Sequence, residues 1–362
     1  MGAKWVKFLE CNRSKKSTLT TMRKYLLVSF LCVLPLGLLN FWLIGFSFDS
    51  NHRVHVTILM WHRPFSVTGN LSEVCGDRHR TLFCTIVEQR SLFPTADVVV
   101  FHNYELVTGR EKLPLNLPRP SGQRWAWMSM ESPRHNGDLR RFAGVFNLTM
   151  NYRRDADITI PYGERLAKEA EEEDPVRDIA HNKSFLVCWV VSNYRSSYRR
   201  SKVYKQLSAI VPVKVYGRWT RTPLSAEELL PTISRCYFYL AFENSEAKEY
   251  ITEKLWKNAY QSGAVPVVLG APVQDYEALA PPHSFIHVDQ FPSVKELAEY
   301  LMLVAGDQKR YSEYFRWKQK WKVKVSNNWK ERLCKLCSHY EHLPLNKVYT
   351  DLEAWNHATG VM

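Results

Sequence analysis

The sequence predicts an α/β protein built as two doubly wound domains that face each other across a cleft. Runs of consecutive apolar and aromatic residues, not alternating ones, mark strands covered on both faces, as in a parallel sheet. These runs alternate with stretches of helical period in two successive series, the pattern of open sheets wrapped by helices. With 362 residues, 45% of them hydrophobic, the chain has room for one large or two medium cores. Between the series, 164–182 carries the acidic run Glu171, Glu172, Glu173, Asp174 and no apolar period. It reads as a linker and divides the body into 54–180 and 181–362.

Ahead of both series, 25–46 (YLLVSFLCVLPLGLLNFWLIGF) is uncharged and apolar, and long enough for a helix to cross a hydrocarbon core. Lys4, Lys7, Arg13, Lys15, Lys16, Arg23 and Lys24 precede it against Glu10 alone, whereas Asp49 follows. The positive-inside rule makes 1–24 a cytosolic tail and 25–46 a single transmembrane signal anchor, with 47–53 a short stem and the body lumenal. A cleavable signal peptide fits less well, because the tract is long and no clean small-x-small site follows it. Sequons at Asn70, Asn147 and Asn182 agree with a lumenal body. Of the eight cysteines, Cys11 and Cys32 fall in the tail and anchor. Cys188 and Cys236 fall in predicted strands, where a free thiol serves as a small hydrophobe. Cys75, Cys84, Cys334 and Cys337 remain, with three possible pairings. Bonds from Cys75 and Cys84 to Cys334 and Cys337 are favoured because they close long loops; two local bonds are the alternative.

In the first series, 54–61 and 97–101 read as buried strands, with Pro64, Gly69, Asn70 and Pro94 in the loops between them. Residues 107–123 form a surface connection. The strand 123–130 (QRWAWMSM) delivers Glu131 at its carboxyl end, where open sheets place their working groups. The second series starts with a strand at 185–191, followed by Ser192, Asn193 and a basic helix carrying Arg199 and Arg200. Further strands are expected at 213–216, ending in Tyr216 and Gly217, and at 284–288. Ser293 and Glu296 form a capping box for the next helix.

The most informative stretch is 236–270, CYFYLAFENSEAKEYITEKLWKNAYQSGAVPVVLG. A strand at 237–242 leads through Glu243, Asn244 and Ser245 into a helix expected from about Lys248, since Ile251, Leu255 and Ala259 recur four apart. Gly263 closes the helix and 264–269 returns as a second strand. This strand, helix, strand unit places Glu243, Asn244, Ser245, Tyr250, Glu253 and Lys254 at a ligand site beyond the strand ends. Free N–H groups at a helix start, with Lys254 one turn in, suit a diphosphate.

The formal charge of +13 implies anionic partners: nucleic acid, a membrane surface or an acidic substrate. With no zinc-finger, recognition-helix or RNA-binding motif, nucleic acid is the weakest of these. Twelve Trp and eighteen Tyr suit the apolar faces of sugars, although most serve as core.

The 236–270 block, WAWMSMESP at 125–133, YRRDADITIPYG at 152–163 and CWVVSN at 188–193 resemble the Golgi alpha-1,3-fucosyltransferases. The C-terminal HLP at 342–344 and VYTDLEAW at 348–355 resemble most the type VII branch, which forms sialyl Lewis x. The resemblance covers 54–355. It implies the glycosyltransferase type B fold, with two Rossmann-like domains, the acceptor on the first and GDP-fucose on the second. It also implies a single-pass type II Golgi membrane protein with no required cofactor. Carried over by position, Glu131 is the expected general base, and Arg200 and Lys254 meet the donor phosphates. Tyr162, Ser192, Asn193, Tyr216, Asn244, Tyr250 and Glu253 line the nucleotide or fucose. Two departures stand out: Glu249 occupies a place where aspartate is usual, and His102, Asn103, Tyr104, Glu105 replace the more common double histidine.

Asp155-Ala156-Asp157 has the D-x-D form of a metal-binding motif, but it lies far in sequence from Arg200 and Lys254, and a structural role is expected instead, with no metal. The implied reaction is single-step inverting transfer of fucose to O3 of N-acetylglucosamine in α2,3-sialylated type 2 lactosamine, on glycoproteins or glycolipids. Arg63, Arg134 and Arg140 are available to meet the sialic acid. The alternatives are a neutral lactosamine or core N-glycan acceptor, a hydrolase, or a non-catalytic glycan-binding membrane protein. A hydrolase requires a second carboxylate across the site, and none is evident.

Overall fold

The computed structural model describes residues 54–76, 82–169 and 183–358. The expected tail, anchor and stem, the acidic run and Asn182 lie outside them. Among the described residues no helix is long and apolar enough to cross a membrane.

Seven strands form the first sheet: β1 (Val54–Met60), β2 (Glu73–Cys75), β3 (Leu82–Val87), β4 (Val98–His102), β5 (Arg124–Ser129), β6 (Leu148–Asn151) and β7 (Ile158–Thr159). Their order is β2-β3-β1-β4-β5-β6-β7, and only β2 runs antiparallel to its neighbour. The central strands VVVFH and RWAWMS are buried at every position, which accounts for their lack of alternation. Val56, Ile58 and Met60 face one core and Leu59, Val99, Phe101, Trp125 and Trp127 the other, so each face of the sheet is covered.

The second sheet has the order β10-β9-β11-β12-β13, all parallel. Its strands are β9 (Phe185–Val190), β10 (Val213–Tyr216), β11 (Cys236–Phe242), β12 (Val265–Leu269) and β13 (Ile286–His287). Core residues again divide between its two faces, Val187, Phe238 and Val267 on one and Cys188, Tyr239 and Val268 on the other. At the turn after β10, Gly217 has φ of 114° and a Cβ there would stand 2.2 Å from the Val191 carbonyl oxygen. Only glycine fits.

Four expectations are corrected. Gly163–Ala167, read partly as linker, is a strand, β8, paired antiparallel with β14 (Trp321–Val325). Cys188 and Cys236 are bonded to each other, not free, because their neighbouring strands carry them on the same core face at a Cα separation of 5.9 Å. The chain after Trp329 packs on the first sheet, although sequence order assigned it to the second domain. Leu333 and Leu336 of helix Trp329–His339 enter one core of that sheet and Leu352 the other. Finally, 248–252 is not helical. The favoured long-range bonds do form, Cys75 to Cys334 and Cys84 to Cys337.

Candidate active site at the strand ends

Glu131 follows β5 and is held by a buried polar network. Its N–H donates to Ser129 Oγ at 3.1 Å, and its carbonyl accepts from Asn136 Nδ2 at 3.4 Å. Asn136 in turn accepts from Ser129 Oγ (2.6 Å) and donates to Asn356 Oδ1 (2.7 Å), while Asn103 Nδ2 reaches the Asn136 carbonyl at 3.0 Å. Trp127 Nε1 fixes Asn103 at 2.9 Å. Such a network in a low-dielectric interior fixes one geometry, although Asn356 Nδ2 is left without a partner. Asn103 is one of the residues that departs from the family pattern. Apart from Asn103, noted as a departure from the family pattern, these supporting residues are not legible in the sequence, where a lone Asn or Ser carries no signal.

On the second sheet, the segment after β11 is organised by Glu243. Its carboxylate is almost wholly buried and accepts from Thr252 N (2.8 Å), Thr252 Oγ1 (2.9 Å) and Lys254 Nζ (2.9 Å). Gly270 lets the next strand end approach, since a Cβ there would lie 2.6 Å from the Glu243 Cβ. Glu249 holds φ of 57°, rare for a residue with a Cβ. Its N–H donates to Asp275 (2.6 Å) and its carboxylate accepts from Arg154 N and Nε (2.7 and 2.6 Å). These side chains hold 248–252 out of helical geometry, so the helix begins as a π turn at Lys254–Ala259. The Thr252 N–H ahead of this turn is bound within the protein.

Lys254 contacts Glu243, Thr252 Oγ1 (2.8 Å) and Glu253 (3.2 Å). Burial acts to lower its pKa, but Glu243 and Glu253 outweigh burial and raise it, so the ammonium stays charged. Burial also pushes the Glu243 carboxyl up. The Arg200 guanidinium, 5% exposed, donates to the carbonyls of Asn193 and, at 3.5 Å, Phe242, and burial lowers its pKa. Ser192 and Asn193 are exposed at the end of β9. Asn244 Oδ1 is buried without a partner. Tyr216 ends edge strand β10 and packs against the core of the second sheet.

The two halves meet here. Tyr250 OH reaches Glu131 Oε2 at 3.5 Å, Ser132 Oγ donates to Ser245 Oγ at 2.9 Å, and Arg154 pairs with Glu249. Tyr162, whose hydroxyl donates to the Met130 carbonyl, stacks edge-on to Tyr250 with ring centres 6.3 Å apart. Burial raises the pKa of both phenols well above the ordinary value, so both stay protonated.

A cleft of about 500 Å³ opens at the carboxyl ends of β1, β3 and β4 and is lined by residues including Trp61, His62, Arg63, Glu88, Arg90 and Arg110. Beneath it His102 Nδ1 lies 2.6 Å from Glu105, which also accepts from the Phe65 N–H at 2.6 Å. Of the arginines considered for an acidic sugar, Arg63 pairs with Glu88 (2.5 Å) and Arg140 with Asp138 (2.7 Å), whereas Arg134 lies over the Tyr198 ring. Asp155 pairs with Arg153 at 2.5 Å. Asp157 accepts from Thr149 N, Thr149 Oγ1, Tyr349 OH and Lys347 Nζ. Both carboxylates of the D-x-D run are therefore taken up by protein donors.

Two open, largely parallel sheets with polar side chains gathered at their carboxyl ends give an α/β fold, and a solved glycosyltransferase shows it to be of the glycosyltransferase kind. A solved structure described as "Crystal Structure of alpha1,3-Fucosyltransferase with GDP-fucose" shares it, with a TM-score of 0.51 over 82% of this chain and 92% of that one, at 16% identity. Residues 53–163 match the family described as "Fucosyltransferase, N-terminal", and 180–355 match "Glycosyltransferase family 10 (fucosyltransferase) C-term". The chain belongs to glycosyltransferase family 10, the fucosyltransferases, and is an enzyme. It is 45% identical over 320 residues to "Alpha-(1,3)-fucosyltransferase 7" of Mus musculus, covering 87% of this chain and 80% of the relative. With the Homo sapiens protein of that name it shares 44% over 303 residues, 83% of this chain and 86% of the relative. It is 41% identical over 307 residues to "3-galactosyl-N-acetylglucosaminide 4-alpha-L-fucosyltransferase FUT3" of Bos taurus, over 84% of this chain and 83% of the relative.

Proposed function

We propose that the protein transfers fucose from GDP-fucose to O3 of N-acetylglucosamine in α2,3-sialylated type 2 lactosamine, with inversion, as a single-pass type II Golgi membrane protein. In one step the acceptor O3 bonds to fucose C1 as the bond from C1 to the β-phosphate oxygen breaks. The hydroxyl proton passes to Glu131, and the electron pair leaves on GDP. General-base help of this kind is worth about 10² to 10⁴ in rate. Lys254 and Arg200 stabilise the negative charge that develops on the departing diphosphate. Tyr162, Ser192, Asn193, Tyr216, Asn244, Tyr250 and Glu253 frame the donor.

The observation that carries this reading is the contact of Tyr250 with Glu131, which brings the donor-side segment of the second sheet against the carboxylate presented by the first. The reading needs no metal, because the two cations and the surrounding dipoles are already charged and fixed. The acceptor in this reading is the one that the resemblance of the C-terminal motifs to the type VII branch implies, and the similarity to the type 7 relatives supports that branch. The test incubates the purified protein with GDP-fucose and α2,3-sialylated or neutral type 2 lactosamine, with and without EDTA. The sialylated acceptor should be preferred at least tenfold in kcat/KM, and chelator should leave substantial activity. Equal use of both acceptors would make this a transferase for neutral glycans. Loss of activity with EDTA, restored by Mn²⁺, would return Asp155 and Asp157 to the metal question. GDP release without glycan product would indicate a hydrolase.

A further inference from the structure

Tyr198 is buried at the start of helix Arg199–Ser208, and three guanidinium groups surround its ring. Arg134 lies 4.9 Å from the ring centre, Arg200 5.7 Å and Arg195 5.8 Å. They come from different parts of the fold. Arg134 belongs to the short turn Pro133–His135 that follows Glu131, Arg195 to the loop after β9, and Arg200 to the helix.

An aromatic face attracts a cation. It does not account for gathering three like charges, which repel one another. Other arginines are neutralised, among them Arg63 by Glu88, Arg140 by Asp138, Arg153 by Asp155, Arg154 by Glu249, and Arg199 by Glu246 and Asp289, and others such as Arg119 and Arg124 each lie singly over a ring; among the described residues, only at Tyr198 do three guanidiniums share one. Among the described residues neither Arg134 nor Arg195 pairs with a carboxylate. Two further polar atoms at this place are buried without a partner, Arg200 Nε, in a side chain 5% exposed, and His135 Nε2. All three guanidiniums and Glu131 act electrostatically on His135, so they share one neighbourhood.

We propose that Arg134, Arg195 and Arg200 form one cradle around Tyr198, contributed by both halves of the protein, that receives the oxyanions of the nucleoside diphosphate. The inference rests on the reading that Arg200 meets the donor phosphates, and adds Arg134 and Arg195 as donor-binding residues. A diphosphate offers several charged oxygens on two adjacent centres, which several planar forks can share, whereas a lone carboxylate is satisfied by one. Because Arg134 lies three residues beyond Glu131, a diphosphate held this way also fixes the loop that carries the base.

The test titrates GDP calorimetrically into the intact protein and into R134A, R195A, the double variant and R200A, with Tm measured for each. R134A and R195A should each weaken GDP about tenfold, the double variant should weaken it further, and the salt dependence of binding should become shallower. R134K keeps the charge without the fork, retains a stem to cover the ring, and should recover only part of the affinity; it serves if R134A folds poorly. Wild-type GDP affinity in R134A and R195A, with R200A impaired, overturns the cradle and leaves the donor reading intact. The same holds if those variants lose only efficiency on the sialylated acceptor, for then the guanidiniums serve its carboxylate. Unchanged affinity in R200A as well defeats the donor reading itself.

Discussion

The ammonium of Lys254 lies 2.9 Å from Oε2 of Glu243, a carboxylate with 1% of its side chain exposed. Removing one partner of a buried pair leaves the other uncompensated, typically at a cost of about 3–5 kcal/mol. Lys254→Ala should therefore lower Tm as well as weaken GDP binding. Adding Glu243→Gln should recover much of the Tm and none of the GDP affinity. Recovery of both in the double variant would show that Lys254 acts only as a counter-ion.

Glu131→Gln keeps the shape of the side chain and removes the proton acceptor. Turnover should fall by about 10² or more with the calorimetric GDP affinity unchanged. Asn136→Ala, which removes the side chain joining Glu131 to Ser129 and Asn356, should lower kcat with GDP affinity likewise unchanged. Near-normal turnover in Glu131→Gln removes that residue from the chemistry.

His287 is fully buried; Nε2 lies 3.0 Å from the Ala271 carbonyl and Nδ1 accepts from Asp289 N at 3.1 Å, so the neutral ring satisfies both. Burial holds its pKa below 6.5, and does the same for His62. The unfolded chain therefore binds more protons than the native one just below pH 6.5. The stability these groups contribute is present above that pH and is lost as pH falls through their folded values. Tm should decline on acidification from pH 7 towards 5, and the decline should be smaller in His287→Gln. An unchanged slope in that variant would assign the acid sensitivity elsewhere.

The two described sequon asparagines differ in availability. Asn70 is exposed, and the contact its side chain makes is through Oδ1, from Ser72 N at 2.8 Å. Asn147 donates through Nδ2, the atom a glycan would occupy, to the Lys347 carbonyl at 2.9 Å. Its Oδ1 accepts from Trp125 N at 2.9 Å. Peptide mapping of the secreted-pathway product should find glycan on Asn70 and an unmodified Asn147. Full occupancy at Asn147 would mean that it is modified before this contact forms.

The apolar central strands were legible because burial on both faces leaves a continuous signature, as in Val98–His102 and Cys236–Phe242. The edge strands of the second sheet were also read, at 213–216 and 284–288, but short and half-buried strands elsewhere were not. Trp321–Val325 alternates with lysine and is half-buried throughout, and Ile158–Thr159 is two residues long. The helix expected from Lys248 followed a genuine fourfold apolar spacing, yet Ile251 is buried from a non-helical segment, because the carboxylates of Asp275 and Glu243 take the N–H groups of Glu249 and Thr252 there. Chemistry-bearing residues such as Glu131, Arg200 and Lys254 could be named from strand ends and family motifs. Their partners could not, since Asn136, Asn356 and Arg195 acquire meaning only from what the fold places beside them.

Cys75 and Cys84 are joined to cysteines 259 and 253 residues further on, in a helix whose leucines complete a core of the first sheet. During synthesis the earliest-emerging sheet therefore lacks part of its interior and both covalent ties until nearly the whole chain has been delivered. The second sheet, whose bond spans 48 residues, can close first. Assembly thus runs against the direction of translation, and truncation near the carboxyl terminus should damage the sheet that presents Glu131 before the one that carries Lys254.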